Sequence, residues 1–170
     1  MTETSILVLG ATGTTGRRVA GLLREAGHRV RGASRRGEVP FDWGDPATWD
    51  LVLDGASRMY LMAPHELPIA PAFAARSVER GVERIVLLSS GAIEVMGDER
   101  LMAAEHLVQA SGAEWTIVRP DWFDQNFDEG FFHPAIMAGR VTVPMGEVRQ
   151  VFVDADDIAA VAVARGAWRH

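Results

Sequence analysis

The sequence predicts an α/β domain built on a doubly wound parallel sheet. Three observations carry that expectation. The first is Ile6-Leu-Val-Leu-Gly-Ala-Thr-Gly-Thr-Thr-Gly16, an apolar strand running straight into regularly spaced glycines. The second is the helical spacing of Val19, Leu22, Leu23 and Ala26 just after it. The third is Arg84-Ile-Val-Leu-Leu-Ser89, whose unbroken Ile, Val and Leu suit a strand covered on both faces of a parallel sheet. At 170 residues, 48% of them hydrophobic, the chain can bury one sizeable core and is too short for two ordinary domains.

The opening strand, turn and helix form an anion-binding corner. Gly10, Gly13 and Gly16 let the backbone approach a pyrophosphate, and the free N–H groups of the helix start point at it. With its flanking strand and helix, the glycine triplet reads as a dinucleotide fingerprint rather than a merely structural turn. Gly27 stops the helix, and residues 28–33 form a second strand. Ser34, Arg35 and Arg36 follow, where a carboxylate would select the free 2′-hydroxyl of NAD and arginine the 2′-phosphate of NADP. NADP(H) is therefore expected in preference to NAD(H), which stays the alternative.

Residues 39–43 read as a third strand ending at Asp42 and Trp43, and Asp45-Pro46 caps a short helix through Leu53. Residues 57–63 make a fourth strand, broken by Pro64-His65-Glu66. The next helix turns Phe73, Ala74, Ser77 and Val78 inward and ends at Gly81. After the strand at 84–89, a helix over 98–110 places Leu101, Ala104 and Val108 on one face, and 115–118 is the sixth strand. Strands and helices at this rhythm imply right-handed crossovers. Ligands in such sheets sit beyond the carboxyl ends of the strands, which selects 10–16, 34–36, 42–43, 63–65, 89–92 and 120–123.

Composition narrows the chemistry. A net charge of −6 argues against nucleic acid or an anionic membrane as partner. With no cysteine, thiolate metal sites and cysteine nucleophiles are excluded. The sequence has neither an apolar leader nor a membrane-length run, so a cytoplasmic location is expected. It also contains no lysine, and Tyr60 is its one tyrosine, so a tyrosine–lysine pair four residues apart is impossible.

Individual candidates divide between chemistry and structure. His28, His65, His106, His133 and His170 show no metal-ligand spacing, and no metal is expected. His65 lies at the cofactor end of the sheet as a proton donor or a solvated loop residue; His133, in an aromatic loop, overhangs the pocket or is solvated in the same way. Tyr60 falls in a strand pattern and belongs to the core. Glu105 is either an acid with a raised pKa or a structural partner of Arg100 or Arg119, the second being favoured. Asp154, Asp156 and Asp157 precede an apolar helix and read as its cap and dipole partners rather than as metal ligands. Ser89 and Ser90 lack a basic partner and a nucleophile elbow, which argues against a hydrolase.

The fingerprint Gly10–Gly16, Ser89-Ser90 and Arg119-Pro-Asp-Trp-Phe-Asp-Gln-Asn-Phe127 together resemble the NmrA-like branch of atypical short-chain dehydrogenases/reductases. Gly139-Arg-Val with Pro144, and Phe152-Val-Asp-Ala-Asp-Asp-Ile-Ala-Ala160, extend the likeness over nearly the whole chain. The resemblance implies an NAD(P)-binding, Rossmann-like fold. It places the pyrophosphate on the turn containing Gly10, Thr12, Gly13, Thr14, Thr15 and Gly16, and the adenosine phosphate near Ser34, Arg35 and Arg36. Asp42 and Trp43 would flank the adenine, Ala63 and Pro64 the nicotinamide ribose, and Ser89 the nicotinamide. Pro120 to Asn126, with Trp122 and Phe123 as apolar walls, would border nicotinamide and substrate; His65 is a substrate-side candidate only from its place after the fourth strand.

Two departures qualify it. The positions matching the superfamily's tyrosine and lysine are Gly97 and Leu101, so no catalytic residue is assignable. Members of the branch also continue well beyond the segment resembling 154–164, whereas this sequence closes on Arg165-Gly-Ala-Trp-Arg-His170. The C-terminal substrate region is then largely absent from a single NAD(P)-binding domain over 1–170, and an open pocket and self-association are expected.

The leading expectation is an NADPH-preferring oxidoreductase acting on an aromatic or quinoid small molecule, with Trp122, Phe123, Phe127, Phe131 and Phe132 around the mouth of the site. A cofactor-binding redox-sensing regulator or interaction subunit without turnover is the first alternative. A natural-product tailoring enzyme performing oxygenation, isomerisation or dehydration is the second.

Overall fold

The computed structural model describes residues 5–143, 146–147, 149–166 and 168. Pro144, Ala167, Arg169, His170 and the polar segment 2–4 lie outside the described residues.

The chain begins with β1 (Ser5–Leu9), α1 (Thr14–Glu25), β2 (Val30–Ser34) and β3 (Val39–Pro40). A 3-10 turn at Pro46–Thr48 leads into α2 (Trp49–Leu53), then β4 (Ala56–Met62), α3 (Pro71–Glu79) and β5 (Arg84–Leu88). Next come α4 (Ile93–Met96), α5 (Glu99–Gln109) and β6 (Glu114–Val118). These strands form one sheet in the order β3-β2-β1-β4-β5-β6, parallel throughout. The order reverses between β1 and β4, which opens a crevice at the carboxyl ends of those two strands.

Side chains that alternate along each central strand explain why both faces are covered. Leu7, Leu9, Met59, Leu61, Ile85 and Leu87 point to one face, where they join Trp49, Phe73 and Val108 of α2, α3 and α5. Ile6, Val8, Tyr60, Val86 and Leu88 point to the other and meet Val19 and Leu23 of α1. That second layer is completed by α7 (Ala155–Arg165), which contributes Ile158, Ala159 and Ala162. Tyr60 is fully buried there, and its hydroxyl donates to Thr15 Oγ1 at 3.1 Å, tying β4 to the start of α1. Burial pushes its pKa up to about 12. Trp168 folds back onto α7 so closely that a Cβ on Gly166 would lie 2.1 Å from its ring.

Several sequence expectations needed correction. The third strand ends at Pro40 rather than Trp43, because Asp42 Oδ1 accepts the Gly44 N–H at 2.8 Å and turns the chain. The helix expected from Asp45 opens as a 3-10 turn, with Asp45 accepting from the Ala47 N–H as its cap. Beyond β6, a second sheet pairs β7 (Trp122–Phe123) in parallel with β8 (Phe152–Val153), with a short α6 (His133–Met137) between them. Neither that sheet nor α4 was expected. Among the described residues, no helix is long and apolar enough to cross a membrane.

Candidate functional site

The glycine turn is shaped by contact, not by flexibility alone. Gly10 holds a φ of +68°, a left-handed conformation that favours glycine, and its carbonyl accepts the Gly13 N–H at 2.9 Å. A Cβ on Gly16 would lie 2.1 Å from the Gly10 oxygen, so a larger residue cannot stand there without displacing the turn. Gly13 is the N-cap of α1 and offers no side-chain oxygen, and no acidic residue occupies the first turn. The Arg17 N–H donates to Gly13 O, which leaves the N–H groups of the preceding helical residues facing the corner without a carbonyl partner in the helix. An anion fits this end electrostatically.

At the neighbouring strand end, the exposed Thr12 donates to Ser34 Oγ at 3.1 Å and links the turn to β2. Arg35 and Arg36 are exposed, and among the described residues no ion pair engages either. Glu38, the nearest following carboxylate, pairs instead with Arg24 at 2.6 Å. Trp43 is half-buried, packed edge-on against Phe41 and Phe73 with ring centroids 4.9 and 5.0 Å away. Asp42 stays exposed. Ala63 is buried at the end of β4, and the carbonyl of Pro64 accepts from Arg100 at 2.9 Å.

A cleft of about 220 Å³ opens beyond β5 and β6. Ser89, Ser90, Ala92 and Met96 form one side, and Pro120, Asp121, Trp122, Phe123 and Asn126 the other. The structure thus brings together Ser89, Trp122, Phe123 and Asn126 of the expected residues. It does not bring His65 there; that side chain is exposed on the loop after β4. Phe127, Phe131 and Phe132 do not line the cleft either. Phe132 is buried and stacks on Trp122 and Phe127 at 5.7 and 5.3 Å, while Phe127 also meets Phe152 at 5.0 Å. These rings pack on one another beside Trp122 of the cleft wall, with Phe132 buried and Phe127 still partly exposed.

Behind Ser89 lies a charged network. The Ser89 hydroxyl donates to Glu105 Oε1 at 2.5 Å. Arg119 grips the same carboxylate with two hydrogen bonds, Nε to Oε1 at 2.8 Å and Nη2 to Oε2 at 2.5 Å, and reaches Glu94 with Nη1 at 2.9 Å. The hydrogen bonds from Arg119, opposed by burial and helped by Ser89, hold the Glu105 carboxyl below its ordinary range. Glu105 is therefore the structural partner of Arg119 and no proton-bearing acid, while Arg100 binds Asp98 and the Pro64 carbonyl. Glu94 and Met96, both on α4, are the site residues that sequence reasoning missed; Gly97, left-handed at φ +65°, was the available sign of a one-turn helix before α5.

A second network ties the loop after β7 to α1. Glu129 pairs with Arg17 at 2.5 Å and Arg18 at 3.2 Å, and Arg18 pairs with Asp156 at 2.5 Å. Asp154 caps α7 by accepting the Asp156 N–H at 2.7 Å and also accepts from Gln125. Among the described residues, no group of three or more His, Asp or Glu side chains could hold a metal ion.

The sheet order, the glycine corner at the β1–β4 reversal and the cleft beside it define a Rossmann-like α/β protein. No family model matches the chain. It is 34% identical over 175 residues to the uncharacterized oxidoreductase YesF of Bacillus subtilis, spanning 96% of this chain and 60% of that protein. It is 38% identical over 178 residues to (4-alkanoyl-5-oxo-2,5-dihydrofuran-3-yl)methyl phosphate reductase of Streptomyces griseus, spanning 94% and 62%. The NADPH-dependent quinone oxidoreductase QOR2 of Escherichia coli, solved with NADPH, superposes with a TM-score of 0.75 at 20% identity, over 97% of this chain and 65% of that one. The chain's likeness to these proteins agrees with the resemblance of its motifs to the NmrA-like group of atypical short-chain dehydrogenases/reductases. The chain spans about 60% of the length of the curated relatives it matches.

Proposed function

We propose that this chain is an NADPH-dependent reductase acting on an aromatic or quinoid small molecule. The observation that carries the proposal is the uncapped α1 start at Gly10–Gly16 together with two exposed arginines at the end of β2 that no ion pair engages among the described residues. The pyrophosphate of a dinucleotide suits the corner, since Gly16 lies against Gly10 and the N-cap Gly13 offers no side-chain oxygen to the first backbone N–H groups of α1. Arg35 and Arg36 would meet a 2′-phosphate, Asp42 and Trp43 the adenine, and Ala63, Pro64 and Ser89 the nicotinamide end. The names of the relatives, a reductase and an oxidoreductase among them, support the same class.

When bound, the nicotinamide supplies a hydride. The residues of the cleft position and shield: Trp122 and Phe123 offer apolar walls to a flat ligand, and Asn126 offers an amide. A quinone suits such a site, because its reduced oxygen takes a proton from solvent without a dedicated tyrosine, and positioning supplies most of the rate. Tyr60, the sole tyrosine, is fully buried between β4 and α1, which also supports a second reading, a nucleotide-binding regulator without turnover. Calorimetric titration with NADPH and NADH tests the nucleotide assignment, with tighter NADPH binding expected. Mixing protein, NADPH and a panel of quinones separates the two readings: oxidation above the protein-free rate supports the reductase, and none supports the regulator.

A further inference from the structure

We infer that Glu105 and Arg119 fix Ser89 as a hydrogen-bond acceptor toward the occupant of the cleft, so that this point selects a ligand group carrying an N–H or O–H donor. The inference rests on the reading that the cleft beyond β5 receives the reacting end of nucleotide or substrate.

Ser89 has two donors, and both are committed. Its hydroxyl donates to Glu105 Oε1 at 2.5 Å, and its backbone N–H donates to the Val118 carbonyl at 2.8 Å. Glu105 is buried and gripped through both oxygens by Arg119, so it is ionised and can only accept. The single hydroxyl proton therefore stays on Ser89 and points away from the cleft that Ser89 lines. What the serine presents to a ligand is a lone pair. A carbonyl or quinone oxygen at this position would face it lone pair to lone pair, whereas an amide N–H or a hydroxyl would complete the chain donor–Ser89–Glu105–Arg119. Turning the hydroxyl toward a ligand oxygen would strip a charge-assisted bond from a buried carboxylate, which is the costlier arrangement. Two consequences follow for the site. Glu105 is a positioning residue that acts through Ser89, and the proton gained by a reduced product does not come from Ser89.

The donor can belong to the carboxamide of the nicotinamide or to a hydroxyl of an aromatic ligand, and paired probes distinguish these sources. One pair is NADPH and its reduced 3-acetylpyridine analogue, which keeps the carbonyl and lacks the N–H. The other is 1-naphthol and 1-methoxynaphthalene. Binding of all four is measured by calorimetry to the wild-type chain and to Ser89→Ala, a variant in which Arg119 still holds Glu105. The wild type is expected to favour the donor-bearing member of one pair by about three- to tenfold more than Ser89→Ala does, the size of one neutral hydrogen bond. The pair that responds names the source. Ratios identical in the two proteins for both pairs would overturn the inference. Failure of NADPH to bind at all would sink the nucleotide reading instead, and the naphthalene pair would still decide this one. In Glu105→Ala the released hydroxyl can turn and donate, so the ratio should fall below the wild-type value; an unchanged ratio in a folded Glu105→Ala would remove the orienting role of Glu105.

Discussion

Gly16 stands so close to Gly10 that a Cβ on the former would lie 2.1 Å from the carbonyl oxygen of the latter. That contact explains why the third glycine of the turn cannot be replaced, although its backbone is ordinary helix. The first helical turn is pressed against the turn that precedes it, and the same closeness brings the free N–H groups into one corner.

Gly16→Ala must therefore push the α1 start away from Gly10. Overpacking of this kind costs about 1–3 kcal/mol and occasionally more, and the upper end is expected because the clash is with backbone. Urea unfolding should show a midpoint shift of that size, with NADPH binding lost even in the folded fraction. A variant as stable as wild type would show that the turn can relax.

The Glu105–Arg119 pair gives a pH signature. Hydrogen bonds from Arg119 hold the folded carboxyl below its ordinary value of 4.5. A group depressed in the folded state contributes stability above its unfolded pKa, and loses it as pH falls through the folded one. Wild type should exceed Glu105→Gln in urea midpoint at pH 7, and the gap should shrink from about pH 5 downward. Glu129, held down by Arg17, contributes in the same direction, so the difference between variants is the quantity to follow. A gap that widens toward acid would contradict the assignment of Glu105 as an ionised partner.

How much of this was legible in the sequence depends on how local each feature is. The strands at 5–9, 56–62 and 84–88 announced themselves as apolar runs, and Asp45, Asp98 and Asp154 announced helix starts that the structure caps with those side chains. The β7–β8 sheet was invisible because each strand has two residues and its partner lies far along the chain, with Trp122 opposite Phe152. No periodicity can register in two residues. The aromatic loop misled for a related reason. Sequence shows that Phe127, Phe131 and Phe132 are clustered, but not that Phe132 stacks on Trp122 and Phe127 meets Phe152, while Phe131 stays exposed against the edge of Phe132. Ser89 and Glu105 were each singled out separately; their hydrogen bond joins a strand end to a helix face and belongs to the fold.

Phe73 tests the core on the α2–α3 side. It is fully buried and meets Trp43, Trp49 and Phe41 at centroid distances of 5.0, 5.3 and 5.6 Å. Phe73→Ala is expected to lower stability by about 3–5 kcal/mol, the transfer and cavity cost of a buried aromatic. Tryptophan fluorescence should shift in the folded state as well, since two indoles lose a neighbour. A loss below about 1 kcal/mol would mean that the surrounding rings collapse into the space, a response that well-filled cores rarely permit.

The proposed preference for NADPH rests on side chains that no ion pair engages among the described residues. Arg35 and Arg36 are exposed at the end of β2, beside the Thr12–Ser34 hydrogen bond, and Glu38 is turned to Arg24. Each charge-assisted bond to a phosphate contributes about 1.5–3 kcal/mol, so losing one should weaken NADPH about ten- to a hundredfold. NADH carries no 2′-phosphate, and its affinity should stay within about twofold in Arg35→Ala and Arg36→Ala, because the pyrophosphate corner is untouched. Calorimetry on the two single variants reads both numbers at once. Equal losses for NADPH and NADH would assign these arginines to general electrostatic attraction, and no loss for either nucleotide would take them out of the site.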